Sequence, residues 1–363
     1  MTKDYSVFLP PKDMGTSIQR LPTALEKLGW QPFFSQQVSA AELSDTSPVR
    51  IVEVHRSALH VVGENVDQTI VPIEGAAVGD WIMLDPRRPG ASRILARKSL
   101  IKRRAPGTDR RVQLIAANID TIFIVTSCNQ DFNVARLERY IAMAFEADIA
   151  PVIVLTKSDI ADGVEGYLAK AQAISDLVPV IALDARGDEP RTKLGPWCKP
   201  GQTVAFLGSS GVGKSTLTNA LAGSDTIATQ PIREDDAKGR HTTTRRQLHL
   251  IPGGCIVLDT PGMRELQLTD AASGIDGVFA DLLELASQCR FKDCEHDSEP
   301  GCAVLEAIER GDIEEARLSR WRKLKAEEAF NNASLSERRS RDKEFGKMVR
   351  RIKKTKFDEG DVS

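Results

Sequence analysis

The sequence predicts three successive architectures. They are a small all-β barrel of the OB-fold type, an α/β doubly wound domain, and an α-helical C-terminal domain built around a cysteine/histidine cluster. Three observations predict this. Residues 48–105 hold five short β-rich segments separated by Gly, Asn, Asp and Pro. Residues 112–285 hold continuous apolar runs alternating with helical stretches, the pattern of parallel strands covered on both faces. Residues 286–363 are polar and α-rich, and three cysteines and a histidine fall between Cys289 and Cys302.

Length and composition agree. A chain of 363 residues suits two or three domains at about 100–200 residues each. Hydrophobic content of 41% with 28% charged residues is that of a globular protein. No apolar run approaches the ~18–20 residues of a membrane span. The start Met-Thr-Lys-Asp-Tyr lacks a signal peptide's basic and apolar regions, so a cytoplasmic address is expected. The net charge of −2 conceals an asymmetry: Arg317 to Lys356 carries 15 Lys/Arg against 5 Asp/Glu, a balance of +10. Such a tail fits either a polyanion partner or a solvated helical face.

In chain order, residues 1–45 read as an N-terminal extension. It has a short helix over Leu21–Leu28 and an aromatic knot at Trp30, Phe33 and Phe34 that packs on the following domain. The barrel strands are Val49–His55, Ala58–Val62, Thr69–Ile73, Trp81–Leu84 and Arg93–Ala96. An OB-fold explains them, and an SH3-like barrel gives nearly the same pattern. Lys98–Arg111, with Lys102-Arg103-Arg104 and Arg110-Arg111, reads as a linker or a nucleic-acid-facing loop. The α/β strands are Thr121–Thr126, Pro151–Leu155, Pro179–Leu183, Thr203–Leu207 and Cys255–Leu258, with helices at Val134–Glu146 and Ser215–Leu221. Near the C-terminus, Phe345, Met348, Val349 and Ile352 form one apolar stripe among Arg350, Arg351, Lys353 and Lys354.

The chemistry sits at strand ends. Gly208-Ser209-Ser210-Gly211-Val212-Gly213-Lys214-Ser215-Thr216 follows one strand and opens a helix. In that context glycines let successive N–H groups face phosphate oxygens, and the helix N-terminus adds favourable partial charge. Lys214 is placed to reach the β- and γ-phosphates, and Ser215 to hold Mg²⁺. Asp259-Thr260-Pro261-Gly262 ends another apolar run. Asp259 suits Mg²⁺, usually through water, and Gly262 suits backbone approach to a γ-phosphate. Thr156-Lys157-Ser158-Asp159 caps a third strand. The Asp159 carboxylate can accept from N1–H and the N2 amino group of guanine, a donor pair adenine lacks. Lys157 is expected to lay its methylenes along the base.

Gly239-Arg240-His241-Thr242-Thr243-Thr244 lies where a switch loop is expected, and Thr243 is the threonine favoured to close over Mg²⁺. Met263 follows Gly262, where many GTPases carry the glutamine that orients water. His241 is the candidate to replace it; contact with RNA phosphate is the alternative. Cys289, Cys294, His296 and Cys302 offer a closed set of four ligands for one structural Zn²⁺. Cys128, Cys198 and Cys255 read as buried or half-buried apolar residues.

The motif order is unusual. In an ordinary small GTPase the phosphate loop leads and the base-reading motif trails; here the base motif at 156–159 comes first. With the phosphate loop at 208–216, Gly-Arg-His-Thr-Thr-Thr at 239–244, Asp-Thr-Pro-Gly at 259–262 and the Cys289–Cys302 spacing, the chain resembles the RsgA (YjeQ) family of circularly permuted GTPases. The resemblance covers residues 45–325. It implies an OB-fold at 46–110, a circularly permuted P-loop GTPase domain at 111–285, a zinc-binding helical domain at 286–330 and a basic tail at 331–363. It further implies a late role in maturing the 30S ribosomal subunit near the decoding region, with 16S rRNA and other assembly factors as partners. Hydrolysis would be stimulated by the subunit, with Mg²⁺ accompanying GTP, and His241 then matches the family's catalytic histidine. A monomer off the membrane suffices. Two departures stand out. Thr156 replaces the usual asparagine, and Ile181-Ala182-Leu183 stands where Ser-Ala-Leu is expected to back the guanine, leaving Ala182 as the residue carried over. A nucleotide-stabilised RNA-binding scaffold is the non-enzymatic alternative. A P-loop kinase or ATPase is the third reading, and Asp159 argues against it.

Overall fold

A computed structural model of the chain describes residues 21–104, 112–223, 246–252, 254–259 and 270–332. The expected switch residues His241 and Thr243, the Gly262–Met263 pair, Arg110–Arg111 and the apolar stripe of the tail lie outside the described residues.

Three short helices open the described chain: α1 (Ala24–Lys27), α2 (Pro32–Ser35) and α3 (Ala40–Asp45). A Thr23/Glu26 capping box starts α1. The aromatic knot packs as expected. Trp30 meets Trp81 edge-on with ring centroids 4.8 Å apart, and Phe34 lies 5.9 Å from the same ring.

Trp81 belongs to a set of five antiparallel strands: β1 (Ser47–Val54), β2 (Leu59–Gly63), β3 (Asp67–Ile70), β4 (Trp81–Leu84) and β5 (Arg93–Ile94). Their spatial order is β3-β2-β1-β4-β5. Val49, Ile51, Leu59, Val61, Ile70, Ile82 and Leu84 form their shared core. Arg50, 1% exposed, ties this unit to its neighbours. Its guanidinium donates to the carbonyls of Leu28, Gly79 and Asn118. One buried side chain thus joins the N-terminal helices, the strands and the start of the α/β region. Burial holds its pKa down at about 10.

Lys98–Arg111, expected as a linker, a nucleic-acid-facing loop or both, contains one strand of an antiparallel pair. Strand β6 (Leu100–Arg104) pairs antiparallel with β7 (Val112–Ala117). Ile101, Ile115 and Ala116 turn one face into the main core, which the polar Lys-Arg-Arg run masks in sequence. The expected boundary at 110/111 falls between the two strands of this hairpin.

The α/β region follows: β8 (Thr121–Ser127), α4 (Val134–Glu146), β9 (Ala150–Thr156), α5 (Val164–Gln172), β10 (Val180–Ala182), α6 (Glu189–Leu194), β11 (Thr203–Leu207), α7 (Lys214–Ala222), β12 (Arg246–Leu250) and β13 (Ile256–Asp259). Its strands lie in the order β10-β9-β8-β11-β13-β12, parallel except for β12. The strands β8, β9 and β11 are buried at every residue, as their unbroken apolar character predicts. Strand pairing does not stop at the edge of this region. Two residue pairs, Glu53 with Gln247 and Val54 with Arg246, join β12 to β1. The result is one continuous 11-stranded sheet.

Four helices end the described chain: α8 (Ala272–Val278), α9 (Ala280–Ala286), α10 (Ala303–Arg310) and α11 (Glu315–Asn332). Helix α8 lies directly on α4. A Cβ at Gly274 would stand 2.0 Å from the Ala142 carbonyl oxygen, so glycine sets that approach. Glu146 of α4 accepts from the Ser273 hydroxyl and the Gly274 N–H. The last helix is held by charge as well as packing. Arg317 and Arg320 both reach Glu138 of α4, which is fully buried, and Arg317 also pairs with Asp281 of α9. Burial pushes the Glu138 carboxyl above its ordinary range, against the pull of Arg320 and Arg317. Cys302, Val304, Leu318 and Leu324 share one buried cluster with Ile141 and Phe145 of α4.

Candidate functional site

Because β8, β9, β10, β11 and β13 run parallel, their carboxyl ends share one edge of the sheet. The chain runs outward from β8 to β10, then returns to place β11 on the other side of β8. Reversals of this kind create the crevice in which α/β proteins bind ligands. Thr156 ends β9, Gly208 follows β11 and Asp259 ends β13, so all three motifs arrive at that edge.

The phosphate loop is shaped by its backbone. Gly208 runs past β8 so closely that a Cβ there would meet the Val125 carbonyl oxygen at 2.1 Å. Gly213 caps α7 in the left-handed region at φ 96°. Between them, Ser209, Ser210 and Gly211 form the outward turn, and buried Val212 pins the loop to the core. Lys214 folds its ammonium over the loop, donating to the Gly208 carbonyl at 2.8 Å and to that of Ser209. Ser215 and Thr216 are exposed at the helix start. An open groove of about 510 Å³ runs beside them, lined also by Ala185, Arg186 and Asn219.

The base motif is bonded to this loop. The Thr156 hydroxyl, fully buried, lies 2.7 Å from the Val212 carbonyl oxygen and 3.2 Å from that of Thr126. Threonine at this position therefore keeps a polar link between the two loops. Lys157 adopts the left-handed region at φ 58°, which turns the chain out of β9 and sends Ser158 and Asp159 along the edge. One Asp159 oxygen accepts from Arg186 Nη2 at 2.7 Å. That carboxylate raises the Arg186 pKa.

Ala182 is placed differently from the expectation. It pairs in register with Leu155 inside β10, and its carbonyl accepts from Lys193 Nζ. The loop that reaches the base motif is Asp184–Gly187, beyond the strand end. Ala185 lies 3.6 Å from a Cβ built on Gly213, and Arg186 meets Asp159. Sequence reasoning missed these two residues. The signal was available: ligand-facing residues of a parallel sheet follow the strands' carboxyl ends, and the run Pro179–Leu183 already filled the strand.

The cysteine/histidine cluster is the second site. Cys289 follows α9, Cys302 caps α10, and Cys294 and His296 lie in the loop between them. His296 takes a left-handed turn at φ 62°. Glu299 accepts from the N–H groups of Glu295, Asp297 and Ser298, which holds its carboxyl down at about 2. The His296 Nδ1 to Cys302 Sγ, His296 Nδ1 to Cys289 Sγ and Cys289 to Cys302 Sγ separations are 3.4, 3.6 and 3.9 Å. All four ligand atoms lie within 4.8 Å of one another. Tetrahedral zinc with thiolate and imidazole at about 2.3 and 2.0–2.1 Å requires separations of about 3.5–3.8 Å. The cluster is thus compatible with a zinc ion. Arg322 donates to the Glu295 and His296 carbonyls, and the Trp321 ring lies 5.9 Å from the imidazole, so α11 supports the ligand loop.

Comparison with known proteins decides the family. Residues 94–269 match the family model described as RsgA GTPase. Small ribosomal subunit biogenesis GTPase RsgA 2 of Vibrio parahaemolyticus is 47% identical over 90% of this chain and 92% of its own length. Small ribosomal subunit biogenesis GTPase RsgA of Mesorhizobium japonicum is 48% identical over 90% and 96%. The chain belongs to the RsgA GTPase family. Membership makes it a GTP hydrolase. The crystal structure of YjeQ from Thermotoga maritima matches with a TM-score of 0.57 and 26% identity over 77% of this chain and 97% of that one. The circularly permuted GTPase YloQ, 23% identical over 80% and 97%, shares the fold with a TM-score of 0.55. A circularly permuted GTPase fold accounts for the observed motif order and for the central position of β11. Within this family member, the base-reading loop and the phosphate loop are neighbours despite lying some fifty positions apart, as the Thr156 to Val212 bond shows.

Proposed function

We propose that this chain is a GTPase of small ribosomal subunit biogenesis, binding the 30S subunit through 16S rRNA and hydrolysing GTP to GDP and phosphate. The observation that carries the reading is the bond from Thr156 to the Val212 carbonyl, which sets the base motif beside the phosphate loop. Asp159 would read the guanine edge, Lys157 would cover the base, and Ala185 would back it. Lys214 and the N–H groups from Ser209 to Thr216 would hold the phosphates. Ser215, Thr243 and Asp259 would hold Mg²⁺, which neutralises charge on the β- and γ-oxygens. Gly262 would follow the γ-phosphate, and His241 would position water in place of the glutamine that Met263 replaces.

The remaining parts extend this reading. The strand order β3-β2-β1-β4-β5 supports an OB-fold over residues 46–110, a fold whose face suits oligonucleotides. Cys289, Cys294, His296 and Cys302 would hold one structural Zn²⁺ in the helical domain at 286–330. The excess of +10 over residues 317–356 favours an RNA partner. A cytoplasmic monomer that works with other assembly factors completes the proposal.

The test is GTP turnover by the full chain, alone and with purified small subunits, with ATP as control. We expect stimulation specific to GTP and to the small subunit. Met263 favours a second reading, a nucleotide-stabilised scaffold. Tight GTP binding with no stimulated turnover would establish that reading instead.

A further inference from the structure

Arg186 stands where nothing in the phosphate or base motifs requires a cation. Its guanidinium bonds Oδ2 of Asp159 at 2.7 Å, and its side chain is 69% exposed. The chemistry of this contact is specific. Guanine is read through an N1–H and an N2 amino group attached to one carbon. A guanidinium is the same fragment, donors on nitrogens that share one carbon. Arg186 therefore offers Asp159 the donor array that guanine offers, and it already engages one of the two carboxylate oxygens.

We propose that Arg186 is a specificity-determining competitor for the guanine-reading carboxylate, which guanine must displace to bind. The inference rests on Asp159 as the base-reading residue. Three observations carry it. Arg186 lies on the loop that approaches the base motif, next to Ala185 against the phosphate loop. It lines the open groove beside Ser215 and Thr216, so it has room to leave. A second carboxylate is near: Asp184 Oδ1 lies 3.6 Å from Arg186 Nε and is held in place by the Arg186 backbone N–H, which donates to it at 2.9 Å. Arg186 thus passes between two acidic partners without an unpaired charge in either position. The consequence is a lowered guanine affinity and faster nucleotide release than Asp159 alone would give. Discrimination against adenine survives, because the adenine edge lacks the donor pair needed to displace the arginine.

The size of the effect follows from exposure. Solvent-exposed ion pairs contribute about 0.2–1 kcal/mol, so removing the competitor should tighten guanine nucleotides by about 1.4- to fivefold. The experiment measures GDP affinity and release with a fluorescent GDP analogue for the wild-type chain, Arg186→Ala and Arg186→Lys. We expect Arg186→Ala to bind about 1.4- to fivefold tighter and to release more slowly, with Arg186→Lys between. The gain should shrink in high salt, as screening weakens the pair. The same substitution is then made in Asp159→Asn and read with a xanthosine diphosphate analogue. Loss of the carboxylate charge should bring the effect of Arg186→Ala close to one. Equal or weaker GDP binding by Arg186→Ala would overturn the proposal and make Arg186 a bystander or a holder of the carboxylate. An undiminished gain in the Asp159→Asn background would overturn it as well. If Asp159→Asn fails to exchange guanine for xanthine preference, the assignment of Asp159 falls, and this proposal with it.

Discussion

At the residue scale, Thr156 shows how a substitution in a motif can preserve its mechanics. A buried hydroxyl bridging the Thr126 and Val212 carbonyls is positioned by β9 and needs no longer side chain. Replacing it with valine keeps the shape and removes the donor. The Val212 carbonyl, the nearer of the two, would then lose its hydroxyl partner, at about 1–3 kcal/mol. Thr156→Val should lower the urea midpoint accordingly and weaken GDP binding, because the two loops are no longer fastened together. Thr156→Asn, which restores a donor, should keep most of the affinity. Equal GDP binding by the valine variant would show that the link is incidental. The position of the Thr156–Asp159 motif at the carboxyl end of β9 was legible from the apolar run before it. The link to Val212 was not, since no local pattern reports a bond across such a separation. The loop Asp184–Gly187 was missed for a related reason. The place of this loop is set by where β10 stops pairing, after Ala182, which residue identity alone does not report.

At the element scale, the apolar strands β8, β9 and β11 and the helix Val134–Glu146 were legible, the helix to its end residues. Continuous burial leaves a trace in composition that run length and β-branched content resolve as strand. The β6–β7 hairpin and helices α8 and α9 left weaker traces. Strand β6 ends in the basic run Lys102–Arg104 and β7 mixes Gln113 with small residues, while α8 carries Gly274 and Gly277, which a propensity argument disfavours. Packing supplies the reason for Gly274. At Gly274 a Cβ would also lie 2.9 Å from the Ala142 carbonyl carbon and 3.0 Å from the Glu146 nitrogen. These are backbone atoms of a buried helix and have no rotamer to change. Gly274→Ala should therefore push α8 off α4 and cost about 1–3 kcal/mol, as overpacking does, despite alanine's better helix propensity. The loss should appear in denaturant unfolding of the whole chain. A stabilised variant would mean that α8 is free to shift.

At the scale of the whole molecule, the distribution of the core matters more than the expected division into domains. Among the described residues, helices α10 and α11 form no separate apolar cluster. Cys302, Val304, Leu318 and Leu324 belong to the cluster that also holds Ile141, Phe145 and Phe279. Arg317 and Arg320 join α11 to Glu138 of α4. The ligand loop is thus continuous with the GTPase layer, through α11 and through Cys302 itself. A structural zinc site in isolation behaves as a two-state unit, unfolded without metal and folded with it. Here the loop that would hold the metal shares its core with α4, so loss of a bound ion should be felt across the sheet. Stripping the ion with a strong chelator should lower the thermal midpoint of the entire chain in one cooperative transition, and adding Zn²⁺ back should restore it. Cys302→Ser should reproduce the effect, because its side chain is both a candidate ligand and a buried member of the core. The measurement is calorimetry with and without chelator, with bound GDP followed in parallel. Two separated transitions, with GDP retained through the first, would show that the ligand loop and α11 unfold alone. A single transition at lower temperature would place the metal among the supports of the nucleotide site, some of whose strands rest on the same α4 layer.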